Sequence, residues 1–191
     1  MFLSQGFEDL EAITIIDVLG WTQVREDLVP VHLTTCGFHD EVTGKFGTAI
    51  TVDRNLKKQA LELSGYKAFV LPGGFHHAGF DEAYCQEVHD LAAGIYARKG
   101  IIATMCVGIS PIADAGLLRG KKATTYHLSR FHDNVARLEA GGAHYTGHRV
   151  ECDDNIISCA GPASSLAVAY CLVEKLTGKD NADAVKKLMI C

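Results

Sequence analysis

Apolar positions along the chain fall into short unbroken runs, and between them lie stretches where apolar residues recur every three or four places. Residues 29–35 (VPVHLTT), 68–71 (AFVL), 101–105 (IIATM) and 156–159 (IISC) are β-prone runs with little alternation, the pattern of strands covered on both faces. Residues 1–4 read as a very short first strand ahead of a Gly turn, residues 46–52 as an extended piece, and residues 122–125 as a further strand. A hairpin-like pair is expected around residues 144–146 and 150–152. Helical spacing predicts helices over residues 8–19, 56–63, 81–98, 112–118, 129–138, 163–176 and 182–189. Strand and helix alternate almost throughout, which implies a three-layer α/β sandwich around a mostly parallel sheet. Nothing in the chain looks like a linker, so residues 1–191 are expected to form one domain.

Composition narrows the choice of partners. At 48% hydrophobic and 21% charged residues the chain is ordinary for a soluble protein, and no apolar run approaches the roughly 20 residues of a membrane span. A net charge of −5 argues against a nucleic-acid surface, and the Lys57-Lys58, Lys121-Lys122 and Lys186-Lys187 doublets read as solvated faces. The seven cysteines are odd in number, and no secretory signal precedes the first motif. A reducing, cytoplasmic setting is the expectation.

In sheets of this kind ligands bind outside the carboxyl ends of the strands. The candidate chemistry stands there: Gln5-Gly6-Phe7-Glu8 after the first strand, Gly73-Gly74-Phe75-His76-His77 after residues 68–71, Cys106 after 101–105, Tyr126-His127 after 122–125, and Ala160-Gly161-Pro162 after 156–159. Cys106 sits at a strand-to-helix turn, where free N–H groups and the helix dipole favour a thiolate; the plainer alternative is a buried inert thiol. Glu8 and Glu11 share one helical face. Glu8 and Asp9 suit a helix N-terminus, and Glu11 is either a third such acid or a carboxyl bonded to the thiol. Gly73-Gly74 is either a plain turn or a pair of amide donors for an oxyanion. Among His76, His77, His127, His144 and His148, His127 has the best address for a general base. Cys85 with His89, and Cys152 with Cys159, lack the second ligand pair of a structural metal site, so no metal is expected. Neither a P-loop nor GxGxxG follows a strand, so no nucleotide or other cofactor is expected.

The ordered set GFEDLEAI, VLPGG, ATMCVGISPIADAGLLRGKKATTY, GGAHYT and RVECDDNIISCAGPASSLAVAYCLVEKLTG resembles the ThiJ/PfpI superfamily over nearly the whole chain, nearest the branch of the Parkinson-disease protein and its bacterial relatives. The resemblance implies a flavodoxin-like α/β/α sandwich of the class I glutamine amidotransferase kind, and a homodimer. It also implies Cys106 as the nucleophile on its elbow, Glu11 as a protonated carboxylic acid touching the thiol, and Gly73, Gly74 and the Val107 amide as donors. The peptidase-like branch carries His directly after the Cys, where this chain has Val107, so that triad is disfavoured. Tyr126 stands where the related branch has a histidine, and His127 is shifted by one. Residues 20–28 are longer than the usual turn. The activity implied is cofactor-independent glyoxalase or deglycase-type chemistry on small reactive carbonyl compounds or their adducts. The alternatives are an oxidative-stress sensor or chaperone using the same cysteine, and a small-molecule hydratase or amidase.

Overall fold

In the computed structural model, which describes residues 1–191, helix α1 (Asp9–Trp21) leads to four short strands, β1 (Cys36–Gly37), β2 (Glu41–Thr43), β3 (Ala49–Thr51) and β4 (Arg54–Asn55). The chain continues through β5 (Ala68–Leu71), α2 (Gln86–Ala97), β6 (Ile101–Thr104), α3 (Ile109–Asp114), β7 (Lys122–Ala123), α4 (Asn134–Ala140) and β8 (His144–Tyr145). It ends with β9 (Val150–Asp153), β10 (Ile156–Cys159), α5 (Ser165–Thr177) and α6 (Lys179–Leu188). The central sheet has the order β5-β6-β10-β9; β5, β6 and β10 run parallel, and β9 pairs antiparallel with β10.

Each central strand divides its side chains between two cores. Phe69, Leu71, Ile102 and Ile156 pack on one face with Val88, Ala92 and Ile95 of α2 and Ile109 and Ile112 of α3. Val70, Ala103, Ile157 and Cys159 pack on the other with Ala12, Ile15 and Val18 of α1 and Val168, Ala169, Leu172 and Val173 of α5. With a side-chain period of two and both faces buried, the strands must be apolar throughout, which is why their sequences do not alternate. The result is the flavodoxin-like three-layer sandwich. Residues 1–4 extend its parallel part: Phe2 N–H donates to Val70 O (3.0 Å) and Leu3 N–H to Cys36 O (2.8 Å), joining β5 to β1 and β4.

Several elements differ from the sequence expectation. Residues 29–35 form no strand, because Pro30 lacks a donor and side chains take the backbone groups that a ladder would need. Val29 N–H donates to Asn181 Oδ1, Val31 N–H to Thr22 Oγ1 and Thr35 N–H to Asp53 Oδ2. Residues 56–63 are turns rather than a helix, since Lys57, Lys58, Gln59 and Ala60 are all exposed and no buried face supports one. The helix expected at 81–98 splits into a 3-10 segment, Phe80–Tyr84, and α2, because Cys85 is extended. Helix α4 starts late, where the Asp133 carboxylate caps it by accepting from Ala136 N–H. The expected 144–152 hairpin does not form: β8 pairs in parallel with β7, and β9 forms its hairpin with β10. A second hairpin, β2 with β3, fastens to α1 through Asp9, whose carboxylate accepts from the Phe46 and Thr48 N–H groups. Beyond α1, residues 22–28 form a turn closed by an exposed Arg25–Asp27 pair, and Leu28 enters the core.

Ile102 is wholly buried at the centre of the sheet, between Phe69 and Ile156. The Ile102→Ala variant is expected to lose about 3 kcal/mol of stability, read as a lower urea midpoint at unchanged slope.

Candidate active site around Cys106

Strand β6 stops at Thr104, Met105 is still extended (φ −129°, ψ 146°), and Cys106 turns sharply into the left-handed region at φ +52°. For a residue with a Cβ this conformation costs about 1–3 kcal/mol and persists only where neighbours enforce it. Three contacts do so. Gly108 N–H donates to Met105 O (2.8 Å), Thr125 Oγ1 donates to Cys106 O (3.1 Å), and the Cys106 N–H lies against the Cys159 sulfur. Gly108 packs so tightly that a Cβ there would lie 2.4 Å from Leu71 O, which fixes the turn on the end of β5. Cys106 is therefore displayed on a strained elbow between strand and helix.

Glu11 reaches the same place from α1. Its side chain is fully buried, Oε2 accepts from Gly73 N–H at 2.7 Å, and Oε1 has no protein partner. A Cβ on Gly73 would stand 2.9 Å from Cys106 Cβ, 3.0 Å from Met105 O and 3.1 Å from Glu11 Oε2. Only glycine fits where Cys106, Glu11 and the loop after β5 meet. Burial raises the Glu11 carboxyl to about 8; the Gly73 N–H opposes that rise, and the nearby Glu8 charge adds to it. At neutral pH the group is mostly protonated. Since Oε2 is already an acceptor, the proton belongs on the unpartnered Oε1.

The thiol departs from the sequence expectation. Although Cys106 keeps some exposure, its sulfur is enclosed, and burial pushes the thiol well above the ordinary cysteine range. The Glu11 charge pushes it the same way, and the Val107 N–H opposes both. The dipole argument fails because α3 is a six-residue helix that begins only after a 3-10 turn. Protonation of Glu11 removes the second cause.

Gly73 also needs correction as an oxyanion donor, because its N–H is committed to Glu11. Gly74 has a backbone N–H with no protein acceptor, and its lack of a side chain is required by Phe80, whose ring would lie 2.4 Å from a Cβ. The strap at residues 6–8 zips onto this loop through Glu8 N–H to Gly73 O and Phe75 N–H to Gly6 O, both 2.9 Å. His127 is exposed and makes no hydrogen bond, to Cys106 or to any other residue. Tyr126 is half-buried at the rim, its carbonyl accepting from Asn134 Nδ2 and its ring beside Gly161. His77, His144 and His148 are exposed; His76 is half-buried, paired with Asp81, stacked on Tyr84 and in tilted ring contact with His132.

Two residues at the elbow have no role there in the sequence expectation, where Cys159 stands only beside Cys152 as a metal-ligand pair. Thr125 gave no signal, being one more β-prone residue in a short strand. Cys159 gave one: it ends the apolar run that becomes the neighbour of β6. It is fully buried, and burial followed by the Glu11 charge raises its thiol to about 12. No three His, Cys, Asp or Glu side chains converge as metal ligands would.

The elbow cysteine, the buried acid and the doubly wound sheet define a class. The DJ-1/PfpI family pattern matches residues 1–175, and the chain belongs to that family. Parkinson disease protein 7 homolog of Danio rerio is 27% identical over 192 residues, covering 100% of this chain and 95% of that protein. The chain spans less than half the length of two Arabidopsis thaliana DJ-1 homologs that it also matches. Isonitrile hydratase of Pseudomonas putida is 32% identical over 163 residues, covering 85% of this chain and 62% of that enzyme. The crystal structure of Drosophila melanogaster DJ-1beta superposes with a TM-score of 0.82 at 25% identity, over 99% of this chain and 95% of that one.

The raised Glu11 carboxyl carries a sign for stability. The folded state holds a proton that the unfolded chain releases near 4.5, so stability falls as pH rises from there to about 8, by at most about 1.4 kcal/mol per unit. Glu11→Gln removes this dependence, and its stability relative to wild type is expected to climb through that window in urea denaturation. A difference that stays constant with pH would show that Glu11 is ionised in the fold.

Proposed function

We propose that this protein is a cofactor-independent, cysteine-dependent enzyme acting on small reactive carbonyl compounds or their adducts, by glyoxalase or deglycase-type chemistry. The observation that carries the reading is the convergence of Cys106, Glu11 and the Gly73 backbone at one point. In the first step the Cys106 sulfur adds to the carbonyl carbon, a C–S bond forms, and the C=O π electrons move to oxygen. Glu11 gives its Oε1 proton to that oxygen and receives the thiol proton, so the hemithioacetal forms without an exposed charge. Gly74 N–H is the free donor for the oxygen, joined by Val107 N–H when the sulfur no longer needs it. For a 2-oxoaldehyde, moving one proton from the first carbon to the second and the hydroxyl proton from the first oxygen to the second converts the adduct to a 2-hydroxy thioester. Water then cleaves the C–S bond, releasing a hydroxy acid and restoring the thiol. A carboxyl near 8 suits both halves of this proton traffic at neutral pH.

Homodimerisation in a reducing cytoplasm belongs to the same reading. Leu10 and Ile13, three apart on the exposed face of α1, are apolar positions that a dimer contact would cover. The kinship with an isonitrile hydratase supports one second reading, a hydratase built on the same nucleophile. A sensor that oxidises Cys106 once is the remaining alternative.

Methylglyoxal consumption at pH 7 separates these readings. Many turnovers per chain are expected, falling about a thousandfold or more in Cys106→Ser and about a hundredfold in Glu11→Gln. Turnover is expected to fall above pH 8 as Glu11 loses its proton. Iodoacetamide labelling of Cys106 is expected to titrate above the ordinary thiol value, and lower in Glu11→Gln, where the opposing charge is gone. Labelling without turnover would favour the sensor, and turnover of an isonitrile alone would favour the hydratase.

A further inference from the structure

A second pair of thiols lies away from the Cys106 elbow, on the face of the sheet covered by α5. Cys152 is an exposed residue of the edge strand β9, paired in register with Ile157 of β10, whose side chain lies in the core beneath α5. Cys171 is half-buried on α5 and packs against that same core. The two sulfurs are in hydrogen-bond contact at 2.9 Å. Bond formation would need an approach of less than about 1 Å to reach the S–S length of roughly 2.05 Å, within the freedom of two χ1 angles.

We propose that Cys152 and Cys171 form a reversible redox pair, joined by peroxide into a disulfide that clamps strand β9 to helix α5. The chemistry balances as two thiols and one peroxide giving one disulfide and two waters. The Cys171 thiolate attacks one peroxide oxygen, breaks the O–O bond and becomes a sulfenic acid, with hydroxide leaving as water. The Cys152 sulfur then attacks the sulfenic sulfur and expels the second oxygen as water. The sulfurs give up two electrons and the peroxide takes them.

The order of attack follows from the charges around the pair. Lys175, one turn beyond Cys171, is pinned there by donating to Asp154 O in the β9–β10 turn, and Lys186 faces the pair from α6. Glu174 on α5 and Glu151 on β9 oppose them. The shared sulfur–sulfur hydrogen bond, with Lys175 and Lys186, holds the Cys171 thiol below its ordinary value against the cost of burial, while the same bond and burial raise Cys152. Cys171 is thus the reactive member and Cys152 the resolving one.

The closed loop, residues 152–171, contains β10, Cys159 and the Gly161-Pro162 rim, so oxidation restrains one wall of the Cys106 site without using Cys106. The inference holds whether or not the proposed activity is correct. It is tested by treating wild type and Cys106→Ser with hydrogen peroxide and then blocking free thiols. In both, a mass loss of about 2 Da is expected, with an unreduced digest joining the Cys152 and Cys171 peptides and dithiothreitol reversing the change. The thermal midpoint is expected to rise by about 5 °C or more on oxidation, and not at all in Cys152→Ser or Cys171→Ser. In Cys152→Ser, a sulfenic acid trapped by dimedone on Cys171 is expected. If Cys152 and Cys171 both remain alkylatable after peroxide, or if either links instead to another cysteine or another chain, the proposal is overturned.

Discussion

The site depends on a carboxyl group placed where water cannot reach it. Glu11 projects from α1 between the sheet and the β5 loop, and its one protein hydrogen bond comes from Gly73 N–H. A buried carboxylate with one donor is poorly compensated, so the group keeps its proton. That choice affects everything nearby. A neutral Glu11 imposes no negative charge on the Cys106 and Cys159 thiols, whose ionisation a charged Glu11 would oppose. The buried acid, kept neutral, therefore adds no charge against ionisation of the thiols and holds a proton beside Cys106.

The surrounding fold secures this arrangement through backbone geometry. The strap at residues 6–8 is tied to the 73–75 loop, the hairpin of β2 and β3 is tied to Asp9 at the start of α1, and Gly108 sits against Leu71 O. Each tie constrains an element that meets its neighbours at the Cys106 elbow. The left-handed Cys106 is the strained centre, and Thr125 anchors its carbonyl from β7's extension. Strain of a few kcal/mol is tolerable because two full cores, one on each face of the sheet, supply the stability.

The chain order of most strands and helices and the rim they share were legible in the sequence, whereas the residues alone left Glu11 open between a helix-end acid and a partner of the thiol, and in the structure its one hydrogen bond comes from Gly73 N–H. Apolar runs that need cover on both faces identify central strands, and a cysteine at the end of one such run is displayed by topology. Legibility failed where side chains replaced backbone partners. Residues 29–35 have every local mark of a strand, yet Asn181, Thr22 and Asp53 satisfy their amides from elements distant in sequence. Gly73 was read as a free donor because nothing local reveals that Glu11, 62 residues away, accepts from it. The sequence leaves Cys106 open between a dipole-favoured thiolate and a buried thiol for a related reason: dipole arguments are local, while the burial that raises the thiol comes from the tertiary fold.

The position of the imidazoles bears on which group moves protons. Val107 follows the nucleophile, Tyr126 occupies the rim, and His127 faces solvent, so no histidine is hydrogen-bonded at the elbow. His76 is the histidine best held near the loop, but Asp81 and the rings of Tyr84 and His132 already engage it. In the proposed reaction, proton transfer at Cys106 therefore falls to Glu11, whose buried carboxyl lies against the Gly73 loop beside it. A carboxyl can serve this way at neutral pH only if its affinity for a proton is raised, which its burial achieves. In the proposed reaction the absence of an imidazole and the depth of the carboxyl belong together: with no imidazolium to protonate the substrate's oxygen, the acid has to stay neutral until that oxygen takes its proton.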